Sequence, residues 1–246
     1  MALRDELRQI LFPDGIKCIV CGKEIHPSRY SLCVDCGFTE NVNYCLRCGR
    51  HKVGIGDYCG ECRNEPIYFD EARSAVDYTD SAQNVVWRMK YGDAKYMARP
   101  LAQYMIDTLI RTDWVFDCFT FVPSDKKRAR RRGYNQAEML ANELSALTTK
   151  PCFDLLEKIK TTTNQARLTR QERLTNLVGA FKARFTPPEH VVIVDDVMTT
   201  GATLNECAKT LKKSGAKIVY ALTFASVPEK PLTDKPVQNI RDFRPQ

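Results

Sequence analysis

The 246-residue sequence has no run of the roughly 18 uninterrupted apolar residues that a membrane-spanning helix needs, so no membrane segment is expected. Its first eight residues mix both charge signs and carry no apolar core, which speaks against a secretory signal peptide. There is no low-complexity tract and no Walker A sequence. Gly54-x-Gly56 lacks both the third glycine and the preceding strand of a dinucleotide fingerprint, and reads as a turn. These absences point to a cytoplasmic protein, and in a reducing compartment stable disulfides are rare.

What the chain has instead is cysteine. Of its 11 cysteines, eight form Cys-x-x-Cys pairs: Cys18/Cys21, Cys33/Cys36, Cys45/Cys48 and Cys59/Cys62. Two such knuckles converging on one ion give the four soft thiolates of a structural zinc site. The gap after Cys21 holds 11 residues and that after Cys48 holds 10, which favours two tandem ribbons, 18/21/33/36 and 45/48/59/62, over an interleaved arrangement. A thioredoxin-like redox pair would occur singly in a βαβ setting, which this segment lacks. Two closed Cys₄ shells leave no open position for substrate, so the expected role is structural. His26 and His51 then read as surface residues, and Cys118, Cys152 and Cys207 as small core residues. Glycines follow Cys21, Cys36, Cys48 and Cys59, where a knuckle turn favours positive φ. The formal charge of +7 falls to about +3 once eight thiolates hold two zinc ions, a modest excess for a phosphate or nucleic-acid partner.

Composition changes once, near residues 63–68, dividing a Cys- and Gly-rich segment (1–66) from a segment of alternating strands and helices (67–246). In the first, only residues 5–12 have a helical period. In the second, strands are expected at 73–78, 118–122, 191–194 and 218–224. Helices are expected at 81–90, ending at Gly92, at 94–111 with Pro100 breaking or kinking it, from Asn135 with a capping-box-like Glu138, and around Leu204, ending at Gly215. Such alternation implies an α/β domain built on a parallel sheet, whose ligands bind at the carboxyl ends of the strands.

The informative segment is Val191-Val-Ile-Val-Asp195-Asp196-Val-Met-Thr199-Thr200-Gly201-Ala202-Thr203. A buried strand delivers two adjacent carboxylates to its end, and a Thr/Gly loop then opens a helix. Helix N-terminal amides and threonine hydroxyls attract a phosphate, and Gly201 lets the backbone approach it. The acids suit the vicinal hydroxyls of a ribose, or the Mg²⁺ that accompanies a diphosphate. This motif resembles that of the type I phosphoribosyltransferases. The resemblance implies that Thr199, Thr200, Gly201, Ala202 and Thr203 hold the 5-phosphate of phosphoribosyl pyrophosphate (PRPP), and that Asp195 and Asp196 hold its ribose as the catalytic pair.

A narrower resemblance runs from Leu11 to about Val227. Leu11-Phe12-Pro13, the four cysteine pairs, Lys90-Tyr91, Arg132-Gly133-Tyr134-Asn135-Gln136 and Gln165…Glu172-Arg173…Asn176…Gly179-Ala180-Phe181 are similar to the ComF family. That family joins a double zinc ribbon to a phosphoribosyltransferase-like domain, with helices on both faces of the sheet, and is associated with natural competence. On this resemblance Ser124, Asp125 and Lys126 form the pyrophosphate loop, with Asp125 in place of the family's usual second proline. Lys158 stands where relatives often have arginine.

Lys126, Lys127, Arg128, Arg130, Arg131 and Arg132 place six cations in seven positions, ready for a diphosphate or for nucleic acid, with Tyr134 available to stack on a base. Residues 160–176, containing Gln165 and Arg173, are polar enough to be a lid over the diphosphate. Two functions follow: a phosphoribosyltransferase with an unidentified acceptor, or a non-catalytic protein that handles single-stranded DNA with other competence proteins.

Overall fold

The computed structural model describes residues 17–92, 94–125, 130, 132–160 and 177–229. The expected helix at 5–12, Leu11-Phe12-Pro13, the cations Lys126, Lys127, Arg128 and Arg131, and the lid residues Gln165 and Arg173 lie outside them.

Four parallel strands form the central sheet: β1 (Glu71–Asp77), β2 (Cys118–Phe121), β5 (His190–Met198) and β6 (Ile218–Ser226), in the order β1-β6-β5-β2. A short antiparallel ribbon, β3 (Leu156–Lys158) with β4 (Phe181–Ala183), stands apart from it. Val191, Val192, Ile193 and Val194 are all buried, which requires cover on both faces of the sheet. α3 (Ala98–Leu109) and α4 (Gln136–Thr148) pack side by side on one face, and α5 (Ala202–Lys213) covers β5 and β6 from the other, as right-handed crossovers require. α5 presents Leu204, Cys207, Ala208 and Leu211 to the core, the four positions its sequence spacing selects.

Helix boundaries follow local chemistry. α2 (Asp80–Tyr91) ends at Gly92, whose N–H donates to the Arg88 carbonyl. Pro100 does not break its segment: a 3₁₀ turn (Lys95–Met97) precedes α3, and Pro100 falls in the first turn of α3, where a missing N–H costs nothing. Asn135 caps α4, accepting from the Ala137 N–H at 3.2 Å while its Nδ2 donates to the Val122 carbonyl, so one side chain joins the end of β2 to the start of α4.

The cysteine-rich segment carries one helix that periodicity does not reveal, α1 (Gly60–Asn64). It docks along the free edge of β1, where the Ala72 N–H donates to the Arg47 carbonyl and the Asp77 N–H to the Thr39 carbonyl. This pairing closes an otherwise open sheet edge. Only two of the four glycines after cysteines adopt positive φ, Gly22 and Gly49, whereas Gly60 opens α1. At Gly49 a Cβ would lie 2.3 Å from the Ala72 carbonyl oxygen, so glycine there serves the close approach to β1 as well as the turn. Cys45, Cys48, Cys59 and Cys62 are buried in one core with the sheet residues.

Candidate functional site

The eight cysteines gather as 18/21/33/36 and 45/48/59/62, the sulfurs of each group within 4.8 Å of one another. Sγ separations of 3.7 Å (Cys21–Cys33) and 3.6 Å (Cys48–Cys59) approach the edge of about 3.8 Å that a tetrahedron with Zn–S bonds of about 2.3 Å requires. Each group could therefore hold a zinc ion. Burial disfavours the Cys18 thiolate, but backbone N–H groups of Cys21, Cys33 and Val20 bring that thiol down to about 6, making it a ready ligand. Neither histidine belongs to a group. His26 is exposed, while His51 is more than a surface residue, its Nδ1 lying 2.9 Å from Asp77 Oδ2 at the end of β1. Cys118 and Cys207 are buried, with burial pushing the Cys118 thiol up to about 12; Cys152 is half-buried.

The second cluster of polar residues lies along the carboxyl half of β5. This strand runs on through both acids to Met198, so Asp195 and Asp196 are strand residues facing opposite sides of the sheet rather than a pair beyond its end. Asp196 is buried, and Lys90 Nζ of α2 stands 2.6 Å from its Oδ2. That oxygen has a close cation yet no well-directed hydrogen bond. Asp195, on the α5 side near Cys207, accepts from the Asp196 N–H at 2.9 Å. Burial pushes the Asp195 carboxyl up to about 8; the charge of Asp196 adds to this and the Lys90 ammonium opposes it.

Beyond Met198 the chain turns through Thr199 and Thr200 into Gly201, which caps α5 at φ +75°. Thr200 Oγ1 accepts from the Ala202 N–H at 3.4 Å. Thr199 is exposed, Thr200, Gly201 and Thr203 are partly exposed, and Ala202 is buried. Thus a helix N-terminus, two threonines and a glycine follow directly on the two carboxylates.

Ser124 lies three residues beyond β2, lining a cleft of about 270 Å³ with Tyr134, Asn135, Glu138, Asp154 and Arg184; Asp125 follows it, partly exposed. Of the basic run, Arg130 is exposed, while Arg132 donates to Gln136 Oε1 at 3.1 Å and lies 4.9 Å over the Tyr91 ring. Tyr134 donates its hydroxyl proton to the Met89 carbonyl, and Lys95 Nζ lies 5.0 Å from its ring centre, so its polar tip and one face are engaged. The exposed rings are elsewhere. Trp87 and Tyr91 on α2 lie 5.6 Å apart, and Tyr96 receives a hydrogen bond from Arg88.

Lys90, Trp87 and Tyr96 carry no chemical signature in the sequence. Their relation to the site arises from the placing of α2 and the 3₁₀ turn after it beside the end of β5, and only the Lys90-Tyr91 pair had a signal, as part of the family resemblance.

No helix among the described residues is long and apolar enough to cross a membrane. A phosphoribosyl transferase domain family matches residues 130–243. Competence protein F of Haemophilus influenzae is 30% identical over 214 residues, covering 82% of this chain and 93% of that protein. DNA utilization protein YhgH of Salmonella typhimurium is 28% identical over 211 residues, with coverages of 82% and 93%. A purine phosphoribosyltransferase from Pyrococcus horikoshii superposes with a TM-score of 0.31 at 18% identity, covering 55% of this chain and 91% of that one.

Proposed function

The chain belongs to the ComF family, and we propose that it is a phosphoribosyltransferase-like protein that binds PRPP or a related ribose phosphate and acts in DNA uptake during natural competence. The observation that carries this reading is the order of groups along one strand end. Two carboxylates on β5, one paired with Lys90, lead straight into a Gly201-capped helix N-terminus.

In this reading Thr199, Thr200, Gly201, Ala202 and Thr203 bind the 5-phosphate through backbone N–H groups and hydroxyls. Asp195 and Asp196 accept hydrogen bonds from the ribose hydroxyls, and Lys90 supplies the counter-charge beside Asp196. Ser124, Asp125 and Lys126 receive the pyrophosphate. Mg²⁺, a hard cation suited to carboxylate and phosphate oxygens, would supply charge neutralisation of the diphosphate leaving group. Attack at the anomeric carbon forms the new bond while the C1–O bond breaks, its electron pair leaving with pyrophosphate. The chain's contribution is positioning and electrostatic stabilisation. Gln165 and Arg173 belong to a lid over the diphosphate, and the two zinc-bound cysteine groups are structural. We also assign residues 1–66 to the ribbon module and 67–246 to the phosphoribosyltransferase-like domain. Equilibrium dialysis of the zinc-loaded protein against PRPP and Mg²⁺ tests the reading: saturable binding at one site per chain is expected, and no binding at millimolar ligand overturns it.

One surface favours a second reading, a non-catalytic role on single-stranded DNA. Exposed Trp87, Tyr91 and Tyr96 lie among Arg88, Lys95 and Arg132, so stacking faces and cations share one patch beside the candidate site, with exposed Arg130 two residues before Arg132 in the chain.

A further inference from the structure

Arg50 lies two residues after Cys48, and its side chain is 94% buried, with a relative exposure of 6%. Its backbone is fixed within the knuckle, where the Cys45 N–H donates to its carbonyl at 2.9 Å. Its guanidinium faces two ways. Nη2 pairs with the Glu61 carboxylate and lies 4.0 Å from Cys59 Sγ, on the metal-binding side. Nη1 donates at 3.0 Å to the carbonyl of Thr199, the first residue after β5 and the start of the threonine–glycine loop.

A guanidinium stays charged, so its burial demands compensating negative charge nearby. Glu61 supplies one unit. Four thiolates around one divalent cation supply about two more. Arg50 is thus the counter-cation of the second cysteine group, and the same planar group holds the loop. Because the trans peptide sets C=O and N–H in opposite directions, drawing the Thr199 carbonyl toward Arg50 turns the Thr200 N–H away from the ribbon. The far end of the loop is held from the same side. The Asn205 side chain in the first turn of α5 donates to the Pro66 carbonyl at 3.0 Å and accepts from the Tyr68 N–H at 2.6 Å, in the segment that follows α1. Between these two fixings lies a cavity of about 20 Å³ lined by Cys48, Arg50, Glu61, Thr200, Gly201 and Ala202, room for one water molecule and no more. Ribbon and loop therefore meet without slack.

We propose that Arg50 is a positioning residue that couples the second cysteine group to the phosphate loop: with metal in place it fixes the loop for an anion, and an anion in the loop in turn retains that metal. This rests on the reading of residues 199–203 as a phosphate site. Coupling between two sites is reciprocal, so the effect is measurable from either end.

The test uses full-length, zinc-loaded wild type and two variants of this position, Arg50→Met and Arg50→Lys. Arg50→Lys keeps the counter-charge and guards against misfolding. Zinc release to a chromogenic chelator is followed with and without ribose 5-phosphate. In the wild type the sugar phosphate slows release of one zinc of the two, by about tenfold if the coupling has the strength of one charge-assisted hydrogen bond. In Arg50→Met and Arg50→Lys this protection is lost, although Arg50→Lys still purifies with two zincs. Hydrogen exchange of the 199–203 amides, measured without ligand, accelerates in both variants while exchange in α4 stays unchanged.

Equal protection in wild type and Arg50→Lys overturns the proposal, as does unchanged exchange in the loop. If wild type binds no ribose 5-phosphate, the phosphate-site reading fails. The exchange measurement then still decides whether Arg50 holds the loop.

Discussion

Lys90 Nζ stands 2.6 Å from Asp196 Oδ2, joining the last turn of α2 to the carboxyl half of β5. The contact divides the labour of two adjacent acids. Asp196 has its counter-charge within the protein, whereas Asp195, facing the other side of the sheet, has none as close among the described residues and is held up to about 8 chiefly by burial.

Replacing Lys90 with methionine removes the cation and leaves the Asp196 charge buried. Since Lys90 is about a quarter exposed, the loss of stability should be about 2 kcal/mol, below the value for a fully buried pair. Adding Asp196→Asn should recover part of it. Denaturant melts of the four proteins of this cycle measure the coupling, and additive losses would show that the two residues do not interact.

If Asp195 holds the ribose as proposed, ligand binding should depend on pH. Its carboxyl is protonated below about 8 in the free protein, and the ionised form is the better acceptor for ribose hydroxyls. PRPP affinity should therefore rise by about tenfold between pH 7 and pH 9, with proton release that calorimetry in buffers of different ionisation enthalpy detects. Asp195→Asn should flatten the profile. Because the folded-state value is raised, the same group makes the ligand-free protein less stable as pH rises through about 8. Affinity that is constant across this window in the wild type would remove Asp195 from the binding step.

Much of this was legible in the sequence, for identifiable reasons. The cysteine spacings, the β-branched run 191–194 and the spacing of Leu204, Cys207, Ala208 and Leu211 are local patterns with a single favourable outcome, and each element forms as expected. What was not legible depends on meetings between distant segments. Pro100 looks like a helix breaker until the preceding 3₁₀ turn sets it in a first turn. The two acids look like a strand terminus until pairing with β6 carries β5 on to Met198. Arg50 is an ordinary cation in the sequence, and its tie to Thr199 spans 149 positions. Gly49 reads as a knuckle turn, but its closest constraint is the backbone of β1.

Metal content tests the cysteine groups. Freshly purified protein should carry two zinc ions per chain by elemental analysis. Cys21→Ser, in the more exposed group, should lower this to about one and leave the core near β1 intact. A wild-type value near one, or near zero, contradicts the assignment.

Single-stranded DNA should bind through the patch that Trp87, Arg88 and Tyr91 of α2 form with Tyr96 and Arg132. If about four cations reach phosphates, log K falls against log salt with a slope of about −3. Trp87→Ala with Tyr91→Ala should weaken binding by about 1–3 kcal/mol for each stacked base while leaving that slope unchanged. Replacing Arg88, Arg130 and Arg132 with alanine should flatten it. Filter binding across a salt series separates the two effects. DNA affinity untouched by all five substitutions would exclude this surface.

As proposed, the carboxylates of β5 and the loop after it form one ribose-phosphate site. Isothermal titration of PRPP with Mg²⁺ into wild type and into the Asp195→Asn, Asp196→Asn double variant, with circular dichroism to establish that the variant is folded, tests it most directly. Each lost charge-assisted hydrogen bond should cost about 1.5–3 kcal/mol, so the folded double variant should bind at least tenfold more weakly than the wild type. Equal affinity in the two proteins, or no heat in the wild type at millimolar PRPP, would exclude a ribose-phosphate site there.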